Sequence, residues 1–200
     1  MIKNKELIYL EFFQSKKKKL YYNQIKESIN LSHSSLQIVL KKLVDNGEII
    51  VEKTKSNIYY ELTNKFKSLE FTKITLNLIN NLNLDVKIII KEFQILIPTT
   101  IYTCIFFGSA SRKEEQVNSD IDLIVILDKY KNNELQRLYE KEIKRTINEI
   151  KKELESRSLY SISIVFTNKE EFEKQNDYLI KEATNTGFPI INQMNYYDNK

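Results

Sequence analysis

Apolar residues in the first third of the chain recur at helical spacing and then switch to alternation. Leu7, Leu10 and Phe13 predict a helix over residues 4–14, which the lysine run 16–19 ends. A second helix is predicted over 21–29. After Asn30 and Leu31 comes a third, capped by Ser32 and running to Asp45, with Leu36, Val39, Leu40 and Leu43 on its inner face. Gly47 stands where a left-handed residue closes a helix. The segments "EIIVEK" and "IYYELT", on either side of "TKSN", read as two strands joined by a turn. A long helical pattern then runs through Phe66, Leu69, Ile74, Leu78 and Leu82. Another helix, over 84–96, stops before Pro98.

From there strands and helices alternate. "TIYTCIFF" is a β-rich run, "SRKEEQ" a short helical turn and "DIDLIVIL" a second strand. Residues 131–156 form a long helix with Leu135, Leu138, Ile143, Ile147, Ile150 and Leu154 on one face. "YSISIVF" is a third strand, 169–184 another helix, and "TGFPIIN" trails off without a regular element. This alternation argues for an α/β layer.

Composition adds three constraints. Three glycines and two prolines in 200 residues favour long regular elements. A single cysteine excludes an internal disulfide and leads us to expect a reducing, cytoplasmic setting. No secretory signal and no apolar stretch of membrane-spanning length is visible, so no membrane partner is expected. The net charge of +4 is uneven. Residues 1–90 carry 15 Lys and Arg against 9 Asp and Glu, whereas residues 91–200 carry 16 against 18. A basic front and a mildly acidic back imply two parts with different partners, the front suited to a polyanion.

Candidate chemistry concentrates in "FFGSASRKEEQVNSDIDLIVIL". Gly108 sits where a buried strand turns, a place where a residue without Cβ lets the backbone approach a ligand closely. Ser109 offers a hydroxyl and an amide to a phosphate, and Arg112 and Lys113 add positive charge a turn later. Asp120 and Asp122 are two residues apart on a strand, so they share a face. Two neighbouring carboxylates repel, and a hard divalent cation, Mg²⁺ or Mn²⁺, with phosphate oxygens as its other ligands, neutralises them.

This stretch resembles the signature of the nucleotidyltransferase superfamily related to DNA polymerase beta, in its minimal form: Gly-Ser, a short spacer with a basic residue, then Asp-x-Asp entering a strand. "NQIKESINLSHSSLQIVLKKLVDNGEIIVEKTKSNIYYELT" in turn resembles the winged helix-turn-helix of bacterial and archaeal regulators. Together the two resemblances imply a mixed α+β and α/β chain. Residues 1–82 would be a winged helix-turn-helix with a trailing linker helix. Residues 83–200 would be a polymerase beta-like nucleotidyltransferase fold, a small mixed sheet flanked by helices.

The resemblance implies that Gly108, Ser109, Arg112 and Lys113 hold the phosphates of a nucleoside triphosphate, that Asp120 and Asp122 bind the metal, and that a nucleoside monophosphate passes to an acceptor hydroxyl. In the front part, Ser32, His33, Ser34, Ser35 and Gln37 would meet base edges of double-stranded DNA. Lys41, Lys42, Lys53 and Lys55 would meet its phosphates. The helix over 64–82 is a candidate seam for a homodimer.

Two features depart from the family pattern. Ser111 and Lys113 stand where a small residue and a glycine are common. Active members usually carry a third acidic residue on a later strand, where this chain offers only Ser161 and Ser163. Glu170 and Glu171 follow at a helix start, where capping accounts for them. Three readings therefore stand open on sequence alone: a metal-dependent nucleotidyltransferase, a nucleotide-sensing DNA-binding transcriptional regulator, and an antitoxin-type protein partner of a separate toxin.

Overall fold

The computed structural model describes residues 4–116, 119–129 and 132–198. It divides into two units, residues 1–74 with 197–200, and residues 75–196.

The first unit opens with α1 (Asn4–Ser15), β1 (Lys19–Tyr21), α2 (Tyr22–Ser28) and α3 (His33–Asp45). It continues with β2 (Ile49–Lys53), β3 (Ile58–Leu62) and the first part of α4 (Asn64–Asn80). α1 buries Ile8, Tyr9, Phe12 and Phe13 rather than the leucine face expected from spacing; Leu7 and Leu10 are half-buried. Its aromatic rings fill a core with Leu20, Ile25, Leu36, Leu40 and Leu43, and the extra area they bury outweighs the leucines. α3 begins as expected, with the Ser32 hydroxyl accepting from the Ser35 amide at 3.1 Å. Gly47 closes the turn after it with φ +70°.

The end of the lysine run is not merely a break. Lys19 to Tyr21 add an antiparallel strand beside β3, giving the order β1-β3-β2. Lys19 is paired there with Glu52, and Lys18 with Glu61 at 3.1 Å, so cross-strand charge pairing makes a strand of what composition marks as solvated.

The buried Tyr9 hydroxyl donates to the Glu48 carboxylate, which also accepts from Asn46 at 3.0 Å. Burial pushes the Glu48 carboxyl up. Those two hydrogen bonds and the charges of Lys5 and Lys73 pull it further down, and the net value lies below the ordinary one. A carboxylate lowered in the folded state contributes stability that is present above its unfolded pKa and is lost as pH falls through the folded value. Tyr9→Phe should therefore cost about 2 kcal/mol at neutral pH. The gap to wild type should close as acid below about pH 4.3 protonates the group, followed as thermal midpoints across pH.

The second unit contains the rest of α4, α5 (Leu84–Leu96), β4 (Thr103–Phe107), α6 (Gly108–Ser111), β5 (Ile121–Leu127) and α7 (Asn133–Ser156). β6 (Ile162–Asn168), α8 (Lys169–Lys174), α9 (Tyr178–Thr186), β7 (Phe188–Ile191) and most of α10 (Gln193–Asp198) complete it. The sheet order is β6-β5-β4-β7, with β5 and β6 parallel and the other pairs antiparallel. β4 and nearly all of β5 are buried, the covered centre that their unbroken apolar runs imply. Cys104, the chain's single cysteine, lies fully buried on β4, and burial pushes its thiol far above the ordinary range.

Three expectations are corrected here. The segment read as trailing off is an edge strand, β7, in which Pro189 is tolerated because only one side of the strand is paired. The single helix expected over 169–184 is two. Gln175 takes a left-handed φ of 49° to end α8, and Asp177 starts α9 by accepting from Leu179 and Ile180 amides. The face of α7 is shorter than its periodicity, because Ile143, Ile147, Ile150 and Leu154 are buried while Leu135 and Leu138 are exposed. Among the described residues no helix is long and apolar enough to cross a membrane.

Candidate active site

The antiparallel register of β4 against β5 sets Phe107 opposite Asp122. The chain turns at the next residue, Gly108, with φ +77°. A Cβ on Gly108 would lie 2.3 Å from the nearer Asp122 carboxylate oxygen and 3.2 Å from its carboxyl carbon. The turn thus rests directly on the carboxylate, an approach that only glycine allows. On its other side Asp122 lies opposite Ser163 in the parallel ladder, and the Ser163 hydroxyl donates to it.

The turn continues as α6, not as the helical turn over "SRKEEQ" that the polar residues implied. Ser111 is buried and donates to the Gly108 carbonyl at 2.8 Å, closing the turn on itself. The amides of Arg112 and Glu114 both reach the Ser109 carbonyl at 3.0 Å. Lys113 adopts φ 62°, the left-handed conformation that favours glycine, so this backbone shape persists without the glycine. Arg112 is drawn to Glu114 at 2.7 Å on the surface. The Ser109 side chain is half-buried, and its hydroxyl has no hydrogen bond among the described residues. Farther along, Glu115 accepts from Asn83, tying the loop back to the start of α5.

Asp120 is exposed just ahead of β5, while Asp122 is half-buried within it. Burial raises the pKa of Asp122 above the ordinary carboxylate range, the charges of Asp120 and Glu182 raise it further, and the Ser163 hydrogen bond opposes them. Glu182 is the residue that sequence reasoning missed. It stands on α9, which packs on β4 and α6. The seating of α9 depends on Gly187 at its end, where a Cβ would meet the Ala183 carbonyl oxygen at 2.6 Å and Phe106 oxygen at 2.8 Å. The Asp177 cap marks in sequence where this helix starts, but not what Glu182 faces.

Asp120, Asp122 and Glu182 form no ion pair among the described residues. A half-buried carboxylate whose charge is opposed by two neighbouring ones is an environment that a hard divalent ion would neutralise. Among the described residues no three acidic, His or Cys side chains are arranged to hold a metal by themselves. The two aspartates fit a shared ion only as a partial set, with oxygens of a phosphate ligand completing it.

In the first unit, His33, Gln37 and Lys41 of α3 share one groove with Lys53 and Lys55 of the β2–β3 hairpin. Ser32, Ser34, Ser35 and Lys42 do not line it. Ser32 is occupied as the cap of α3 and bonds the Ser34 and Ser35 hydroxyls. His33, expected to meet a base edge, is already engaged, because its Nδ1 bonds the Tyr22 hydroxyl at 2.9 Å.

The second unit is a four-stranded mixed sheet with a carboxylate pair at the start of one central strand and a glycine turn at the end of the other. That arrangement defines a small α/β domain with an acidic, glycine-backed site. A family model described as Polymerase beta, Nucleotidyltransferase matches residues 87–194, more than half of the chain, and the chain belongs to this family. Searches of curated proteins and of solved structures gave no match.

Proposed function

We propose that the second unit binds a nucleoside triphosphate with a divalent cation and transfers its nucleoside monophosphate to an acceptor hydroxyl, releasing pyrophosphate. The observation that carries this reading is the seating of the Gly108 turn on Asp122, 2.3 Å from oxygen to the position of an absent Cβ. It sets the turn's backbone directly against a carboxylate, the proximity that in-line phosphoryl chemistry requires.

Asp120 and Asp122 would hold the cation, Mg²⁺ or Mn²⁺. Bound there, it supplies charge neutralisation at the phosphates and alignment of the attack. The Ser109 hydroxyl and the turn's amides would orient the phosphates, with Lys113 adding positive charge. The acceptor oxygen bonds to the α-phosphorus as the bond to the pyrophosphate oxygen breaks. The acceptor proton needs a base, and the ladder position beside Asp122 holds Ser163, which cannot serve as one at neutral pH.

That serine favours a second reading, a site that binds nucleotide and turns it over slowly, as a sensor would. One pair of proteins separates the two. Wild type and Ser163→Asp are incubated with each of the four α-labelled triphosphates, Mg²⁺, and protein, RNA or DNA acceptors. Under the transferase reading wild type transfers label. Under the sensor reading it binds nucleotide with only slow transfer, and Ser163→Asp raises that transfer by about tenfold or more. Failure of wild type to bind any triphosphate would remove both.

The first unit we read as a winged helix-turn-helix that binds nucleic acid, with double-stranded DNA as the partner its resemblance implies. Its support is the order of α3 and the hairpin, and the lysines they bring to one groove, which have no ion-pair partner among the described residues. Binding that weakens steeply with salt would reflect counterion release from those lysines.

A further inference from the structure

The groove between α3 and the β2–β3 hairpin has a volume of about 760 Å³ and a lining of two kinds. One kind is cationic. Lys41 comes from the helix and Lys53 and Lys55 from the hairpin, and none has an ion-pair partner among the described residues. Among the described residues no acidic one lines the groove.

The other kind is aromatic. Tyr21 and Tyr22, where β1 passes into α2, both line it and are both half-buried. Tyr22 is fixed twice, by its hydroxyl on His33 Nδ1 at 2.9 Å and by the edge-to-face packing of the two rings at 5.4 Å. Tyr21 is held by edge contact with Tyr59 at 6.4 Å. These rings are ordered before any ligand arrives, so little rotamer freedom remains to be lost on binding.

Duplex DNA presents phosphates and base edges, and its base faces are stacked out of reach. Lysines on a convex rim would meet its needs, and tyrosines recessed in a concavity would add nothing. A strand with unpaired bases presents both features that the lining matches, a run of phosphates and open π faces. Three lysines spread over two elements also exceed what the phosphate of a single nucleotide needs. We propose that this groove takes a single-stranded stretch of nucleic acid, its phosphates on Lys41, Lys53 and Lys55 and an unpaired base against Tyr22. The inference rests on the nucleic-acid reading of this unit and puts a single strand in place of the duplex that the resemblance implies.

The test uses the full chain and fluorescence anisotropy. The probes are a labelled twelve-nucleotide single strand without self-complementarity, as DNA and as RNA, and the blunt duplex of the same DNA sequence. AMP and ATP serve as unlabelled competitors. Either strand should bind about tenfold or more tightly than the duplex at the same salt. The logarithm of its affinity should fall against that of salt with a slope of about −2, as three lysine contacts to a single strand give. Tyr22→Ala should weaken strand binding about tenfold, as loss of one stacked base does, while Tyr22→Phe, which keeps the ring, retains most of it. Lys53→Ala with Lys55→Ala, both on the exposed hairpin, should flatten the salt slope. These lysine variants keep the test open should Tyr22→Ala melt early.

Duplex bound as tightly as the strand, with Tyr22→Ala indifferent, overturns the strand proposal and leaves the nucleic-acid reading standing. Binding of neither probe at low salt removes both. Free nucleotide bound in place of the strand makes the groove a mononucleotide pocket and also overturns the proposal.

Discussion

Asp122→Asn is expected to yield a protein that melts at a higher temperature than wild type and has lost nucleotidyl transfer. The two effects share one cause. In wild type the Asp122 carboxylate is half-buried, and its charge is opposed by burial itself, then by Asp120 and Glu182, with only the Ser163 hydroxyl in support. Asparagine keeps the shape and removes the charge, which relieves the repulsion. On the proposed function the same change also removes a ligand of the divalent cation, so transfer should fall by at least about a hundredfold. Differential scanning fluorimetry with and without Mg²⁺ and nucleotide checks both effects. The ligands should raise the wild-type midpoint through binding to the folded state and leave the variant unmoved. A variant less stable than wild type in the absence of ligands would show that the carboxylate is held by attractive contacts, and the reading of the site as a charge-strained pair would fail.

Gly108→Ala should be the more damaging single change. Its φ of +77° costs an L-residue about 1–2 kcal/mol. Its Cβ would also lie 2.3 Å from Asp122 oxygen, so the carboxylate or the turn must move. β4 and β5 are locked by their ladder up to the Phe107–Asp122 pair just before this point, and the strain therefore falls on the site rather than on the sheet. We expect transfer and Mg²⁺-dependent nucleotide binding to be lost, with the thermal midpoint lowered by several degrees. A fully active Gly108→Ala would mean that the turn does not bear on the chemistry. Gly47 offers a control. It has a similar φ of +70° but open space around its missing Cβ, so Gly47→Ala should show the backbone cost alone.

The parts of the site that are close in sequence were legible in it. Gly108, Ser109 and the Asp120–Asp122 pair lie within fifteen residues, and their relation follows from a turn and a strand, both short-range geometries. Glu182 was not legible, because it arrives through the seating of α9 on β4, a tertiary contact that Gly187 permits and that no local spacing encodes. The same limit hid the bond between Tyr22 and His33, which forms across two helices. It hid β1 as well, since a lysine-rich run pairs as a strand only when Glu52 and Glu61 face it. Lys113 is a different case, standing where a glycine is common in the family pattern and taking the left-handed backbone shape all the same.

Cys104 has a practical consequence. It is the only sulfhydryl in the chain, and it sits in the middle of the sheet's interior, where its pKa keeps it protonated. An alkylating reagent can reach it only when β4 parts from its neighbours. The rate of that modification in native buffer is thus a label-free clock for the opening of the second unit. A cysteine introduced elsewhere on the surface would carry a fluorophore without competition from the native one.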